Sequence, residues 1–224
     1  MRTLILGDIH GHEKALIAVT KAAQLGRDDV LITLGDYVDR GPESKAVLNW
    51  LITRATAGRL VPLLGNHEWM MLGATTDPQS WQLWQANGGN ATLASYGLDA
   101  KPQALNRVPA EHWKFLATEC RKMHETDSHF YVHAGVYPNR DLSDQTDFVL
   151  LWARMHDTAR HQSGKCMICG HTPRRSGRPL ELDHAICLDT WICGGGWLTC
   201  LELETGAYCQ SDQDGNIRQG CLGA

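Results

Sequence analysis

Five short segments of this 224-residue chain place aspartate, histidine or asparagine directly after an apolar run, and together they supply oxygen and imidazole donors with no thiolate. In GDIHG, Asp8 and His10 stand two residues apart, so a locally extended backbone directs both side chains the same way and lets them share one cation. GDYVDRG supplies Asp36 at the equivalent place after a second run, and GNHE supplies Asn66 and His67 after a third. VHAG and GHT add His133 and His171. Such donors suit Mn, Fe, Zn or similar first-row cations in open, high-coordinate geometry, unlike a closed tetrahedral cysteine site. Asp36, on the central of the first three turns, is the carboxylate expected to bridge two cations about 3.5–4 Å apart, the separation used for in-line displacement at phosphorus. Two divalent cations bring four positive charges, Asp8 and Asp36 remove two, and Arg40 adds one. A phosphate dianion therefore meets a cationic pocket, with Arg40 set for bidentate contact.

The elements that must position these side chains follow from the punctuation. TLIL at 3–6 ends at Gly7 and is followed by apolar residues at helical spacing over 14–25. VLITL at 30–34 ends at Gly35 before a helix-compatible stretch from Glu43 to Arg54, and LVPLL at 60–64 ends at Gly65 before Glu68 to Leu72. Three strand, turn and helix units imply a mostly parallel α/β sheet with helices on its faces, whose carboxyl edge gathers all three turns. FYV at 130–132 and CMIC at 166–169 repeat the pattern before HAG and GHT. Residues 78–122, with Trp81, Trp84 and Trp113 on apolar faces, read as a helical cap. The tail from about 179 reads as a meander of strands completing a second sheet. We expect one domain over 1–224, with the cap inserted at about 73–122.

Composition narrows the class. Hydrophobic content of 43% supports a sizeable core, and the formal net charge of −4 gives no global reason to expect a nucleic-acid partner. No window approaches the roughly 20 apolar residues of a membrane span, so a soluble cytoplasmic protein is expected, with its eight cysteines reduced. Cys166 and Cys169 form a CxxC, but strand residues an odd number apart face opposite sides, so neither zinc nor redox chemistry is expected there. His12, His112, His124, His129, His156, His161 and His184 are read as surface or packing residues, and Trp69, Met70 and Met71 as helix core.

In this order, GDIHG, GDYVDRG, GNHE, HAG and GHT resemble the phosphoprotein phosphatase family of metallophosphoesterases, over most of the chain. GNHEWMM, NGGNAT, LLWAR and LDT…GGGWLT are similar to the compact bacterial and phage branch typified by the lambda phage phosphatase. The resemblance implies a calcineurin-like β-sandwich of two mixed sheets flanked by helices. It implies two divalent ions, Mn2+ first with Fe, Zn or Ni as alternatives: one held by Asp8, His10 and Asp36, the other by Asp36, Asn66, His133 and His171. Arg40 and Arg154 would grip phosphate, and His67, oriented by Asp39, would protonate the leaving oxygen. On the residues alone, Asp39 can also cap a turn, and Arg40 and Arg154 can be solvated. The expected activity is hydrolysis of phosphomonoesters on protein or peptide Ser/Thr, with Tyr as a further candidate, by attack of a hydroxide shared between the ions. Cleavage of a phosphoanhydride, as in symmetrical dinucleoside tetraphosphatases, is the alternative, although those enzymes tend to carry GNHD where this chain has Glu68. Trp191, in place of the family's small residue, alters the expected wall of the pocket.

Overall fold

The computed structural model describes residues 2–155 and 159–223; His156 lies outside them. Its strands are short apolar runs whose alternate side chains face two different cores. In β1 (Thr3–Leu6), Ile5 points inward between two sheets while Leu4 and Leu6 point out toward helices. Parallel to it run β2 (Val30–Thr33) and β3 (Arg59–Pro62), with Ile5 opposite Ile32 and Ile32 opposite Val61. The helices α1 (Glu13–Ala22) and α2 (Ser44–Ala57) cover the outer face, burying Leu16, Val19, Val47, Leu48 and Leu51. Short βα crossovers of this kind bring the carboxyl ends of the parallel strands to one edge.

The second sheet contains β4 (Met123–Glu125), β5 (His129–Val132), β6 (Cys166–Cys169), β7 (Leu180–Leu182) and β8 (Ala185–Cys187), in the order β4-β5-β6-β8-β7. Here β5, β6 and β8 are parallel, and β4 and β7 are antiparallel edge strands. Tyr131, Ile168, Ile186 and Leu188 meet Ile5, Ile32, Leu34 and Leu63 in the core between the sheets. Cys169 packs on the outer side and Cys166 against the inner core, so the two sulfurs diverge as the strand period requires.

The tail differs from its sequence reading. Only β7 and β8 join the second sheet; β9 (Leu198–Glu202), β10 (Ala207–Ser211) and β11 (Ile217–Cys221) extend the first, giving the order β11-β10-β9-β1-β2-β3. Alternation identifies a strand but not its partner. The free edge of β1 is filled by antiparallel β9, with Leu201 opposite Ile5 in the shared core.

Between the sheets in sequence lie α3 (Asn66–Gly73), α4 (Pro78–Ala86), α5 (Gly89–Ser95) and α6 (Ala110–Lys114). The start of α4 is fixed by Asp77, which accepts from Gln79 N and Ser80 N at 2.9 and 3.0 Å, with Pro78 in the first turn. α7 (Asp147–Trp152) covers the second sheet. Among the described residues no helix is long and apolar enough to cross a membrane.

Candidate metal centre

All ten site residues expected from the sequence converge at the carboxyl edge of the parallel strands. Asp8, Asp36, Arg40, Asn66, His67, Arg154 and His171 line one cavity of about 170 Å3, joined by Asn87, Trp152, Pro173 and Asp189. His10, His133 and Asp39 are buried against these groups. His10, Asp36, Asp39, Arg40 and His171 are five of the seven non-glycine residues with positive φ among those described. Left-handed backbone is unfavourable for such residues, so strain is concentrated where side chains must be aimed. Glycine is required beside them: a Cβ on Gly65 would collide with the backbone nitrogen and carboxylate of Asp36.

The imidazoles disclose what the site can hold. His10 Nδ1 lies 3.0 Å from Val38 O, and His133 Nδ1 lies 2.7 Å from Leu34 O. A carbonyl can only accept, so each Nδ1 carries the proton and each Nε2 presents a lone pair. Those lone pairs face Asp36 from two sides, His10 Nε2 at 3.4 Å from Oδ2 and His133 Nε2 at 3.4 Å from Oδ1. His171 repeats the pattern: Nε2 donates to Trp152 O at 3.2 Å, and Nδ1 turns to Asn66 Oδ1 at 3.0 Å, which is also 2.9 Å from His133 Nε2. Burial holds the imidazoles of His10, His133 and His171 below their ordinary range, His171 at about 3, so they are neutral donors. Asp36 is held below the ordinary carboxylate range although burial opposes its ionisation, so it stays a carboxylate. Acceptors facing acceptors across 3–3.5 Å form a cradle completed by cations. Two clusters of potential ligand atoms share Asp36, namely His10 and His67 on one side and His133 and His171 on the other, with His67 set apart by its more distant Nε2. The residues therefore fit a dinuclear divalent centre.

Asp8 supports the same reading. Burial first, then the charges of Asp189 and Asp36, push its carboxyl well above the usual range, while its oxygens accept from His171 N at 3.1 and 3.3 Å. Asp189 is likewise pushed up to about 6, chiefly by burial, against the hydrogen bond from Trp191 N. Three carboxylates in one buried space call for positive charge.

His67 differs from the other imidazoles. Its Nδ1 donates to Asp39 Oδ2 at 2.7 Å, a carboxylate in place of a carbonyl, and its Nε2 stands 4.0 Å from Asp36 Oδ2. Burial lowers its pKa, but Asp36 and the Asp39 hydrogen bond overcome this and raise it, which suits a group that carries a proton to the cavity. Asp39 is in turn held by the cap: Trp84 Nε1 reaches both carboxylate oxygens at 3.0 Å, and Thr92 Oγ1 donates to Oδ1 at 2.6 Å. Arg40 donates to His10 Nε2 at 3.0 Å and to Cys193 Sγ at 3.4 Å, and Arg154 is exposed at the cavity mouth.

Sequence reasoning missed four supporting side chains. Glu68, the third residue of α3, receives Gly65 N at 2.9, Asp36 N at 2.8, Tyr37 N at 2.7 and Val38 N at 3.1 Å, clamping the loop that carries Asp36. Burial, then the Asp36 charge, push it up to about 8. Its place three residues after Gly65 was the available signal. Asp189, Trp84 and Thr92 come from distant segments and carried none beyond the LDT and NGGNAT likenesses. Trp69, expected in the core with Met70 and Met71, is 42% exposed while both methionines are buried. It shares the face of Asn66, three residues back, which looks onto the site. Trp191 lies outside the cavity lining: its backbone is left-handed, φ 69°, and its ring sits against Gly194 and under Arg175.

The chain matches the profile of the calcineurin-like phosphoesterases over residues 1–195. It is similar to serine/threonine-protein phosphatase 1 of Salmonella typhimurium, 31% identical over 212 residues, covering 89% of this chain and 91% of the relative. It is also similar to the asymmetrical bis(5'-nucleosyl)-tetraphosphatase PrpE of Anoxybacillus flavithermus, 26% identical, covering 90% and 91%. The crystal structure of a cold-active protein tyrosine phosphatase superposes with a TM-score of 0.64 at 19% identity, over 97% of this chain and 78% of that one, a likeness of fold. The chain belongs to the calcineurin-like phosphoesterase family, a family that uses a dinuclear metal centre, and the Salmonella relative supports its phosphoprotein phosphatase branch.

Proposed function

From that membership, we propose that this chain is a metal-dependent phosphomonoesterase acting on phosphorylated Ser or Thr of proteins or peptides, with Tyr included. The observation that carries the reading is the pair of imidazole lone pairs, His10 Nε2 and His133 Nε2, turned onto opposite oxygens of Asp36. Asp8, His10 and Asp36 would hold one divalent cation and Asp36, Asn66, His133 and His171 the other; all-oxygen and imidazole donors favour Mn2+, with Fe, Zn or Ni as alternatives. Bound there, such ions would supply Lewis acidity, activating water and neutralising phosphoryl oxygens.

The chain's own groups do the rest. Arg40 and Arg154, at the lip of the cavity, bind and orient the phosphoryl oxygens. His67, as the imidazolium, delivers its Nε2 proton to the departing oxygen and is left neutral, with its Nδ1 proton still donated to Asp39. Asp39 orients the ring and favours its charged form, while Trp84 and Thr92 keep Asp39 in place. A cavity of about 170 Å3 admits a phosphoryl group.

His67→Asn should slow aryl phosphates with poor leaving groups far more than those with good ones, because only the former need a proton. Equal slowing across the series would remove His67 from the acid role. A second reading, cleavage of a dinucleoside tetraphosphate, is favoured by the likeness to the Anoxybacillus tetraphosphatase. Comparing turnover of diadenosine tetraphosphate with that of phosphopeptides under Mn2+ separates the two.

A further inference from the structure

A file of rings leads out of the metal centre to the surface. His133 and His171 lie 5.0 Å apart at 64°, His171 and Trp152 6.4 Å at 82°, and Trp152 and Trp69 6.2 Å at 87°. Trp152 lines the cavity, and its carbonyl accepts from His171. Trp69 stands beyond it, on the same helix as Asn66 and His67, with 42% of its surface open to solvent. Phe148, one turn before Trp152 on α7, is 68% exposed. Neither the metal donors nor the acid require an exposed tryptophan at this position, and the neighbouring Met70 and Met71 are fully enclosed.

With the phosphoryl group seated in the cavity, what is bonded to the leaving oxygen extends toward the mouth, part of whose wall is Trp152. That oxygen is the one beside His67; Trp152 lines the cavity, and Trp69 packs edge-on against Trp152 just outside the lining, on the α3 side. Each successive ring pair in the file is tilted or edge-to-face, the arrangement in which one more aromatic ring gains from both dispersion and the ring quadrupole. An aliphatic seryl or threonyl stem presents no such ring.

We propose that Trp69, buttressed by Trp152, is a specificity-determining platform for an aromatic leaving group, making phosphotyrosine in a peptide the preferred substrate. This rests on the phosphomonoesterase reading and deepens it.

The test uses the full chain as wild type, Trp69→Ala and Trp69→Phe, with phosphotyrosine and phosphoserine peptides of one sequence. The alanine variant should lose about tenfold in kcat/KM on the phosphotyrosine peptide and less than twofold on phosphoserine, and phenylalanine should restore most of the loss. Equal loss on both peptides, or none on either, overturns the platform. Binding of phenylphosphonate against methylphosphonate, measured by calorimetry, reads the platform without turnover: wild type should prefer the phenyl compound and Trp69→Ala should not. If wild type releases phosphate from neither peptide, the phosphomonoesterase reading fails, and the phosphonate preference alone upholds or overturns the platform.

Discussion

At the amino end of β1, Arg2 holds Asp29 through two N–H groups at 2.7 and 3.3 Å and reaches Glu202 at 2.9 Å. Past the carboxyl end of the same strand, Asp8 shares a buried space with Asp36 and Asp189. The hydrogen bond from Arg2 pushes Asp29 down to about 2, whereas burial pushes Asp189 up to about 6 and Asp8 well above the usual range. One cluster is balanced by the chain's own cation; the other is left for cations from solution to balance. The contrast teaches that this fold places its destabilising electrostatics where chemistry is done and pairs its charges where only the sheet must be held.

The largest effect that could break this contrast is that of Asp8→Asn. It should lower Mn-supported phosphatase activity by at least about 1,000-fold, since a lost cation removes several kcal/mol of charge stabilisation. The melting temperature of the metal-free protein should stay level or rise, because a buried, opposed charge has been removed. A fall in both would show that the carboxyl end is as well paired as the amino end.

Glu68→Gln comes next. A glutamine amide points a donor at backbone donors, so about half the clamp on Asp36 is lost while every metal donor remains. Activity and Mn2+ affinity should each drop about 10–100-fold, the range seen when groups that orient ligands are removed. Unchanged Mn2+ affinity in a titration would mean that the loop stands without Glu68.

Asp29→Ala sharpens the other side. It should cost about 1 kcal/mol, once solvent screening of the partly exposed Arg2 is allowed for, or about 2–4 °C in melting temperature, with kcat/KM within twofold of wild type.

The pH dependence of the metal-free protein carries the smallest effects, with opposite signs at the two ends. A depressed carboxyl such as Asp29 stabilises the fold above its ordinary value of 3.8, and that contribution is lost as pH falls from about 4 to about 2. A raised carboxyl such as Asp189 does the reverse, its contribution declining as pH rises from about 4 to about 6. Melts across pH 2–7 should therefore lose their acid-side rise in Asp29→Ala and their decline above pH 4 in Asp189→Asn. Identical profiles for both variants would contradict the assignment.

The donors of the site were legible because each follows a strand end: Asp8, Asp36, Asn66, His133 and His171 sit where apolar runs stop, and parallel strands must bring such places together. Local spacing could not reveal what depends on tertiary docking. The Trp84 indole looks like core until α4 is laid over Asp39, and Thr92 becomes its partner only through α5. The split of the tail between sheets was hidden for the same reason, since β8 and β9 carry similar apolar patterns and are distinguished only by the free edges of β6 and β1. Trp69 misled because two buried methionines follow it, while its own direction is set by Asn66 one turn earlier.

The central claim is that Asp36 is shared by two cations. Crystals grown with Mn2+ and measured at the manganese absorption edge should show two anomalous peaks per chain, one on the His10 side of the Asp36 carboxylate and one on the His133 side. A single peak, or none, would contradict the account.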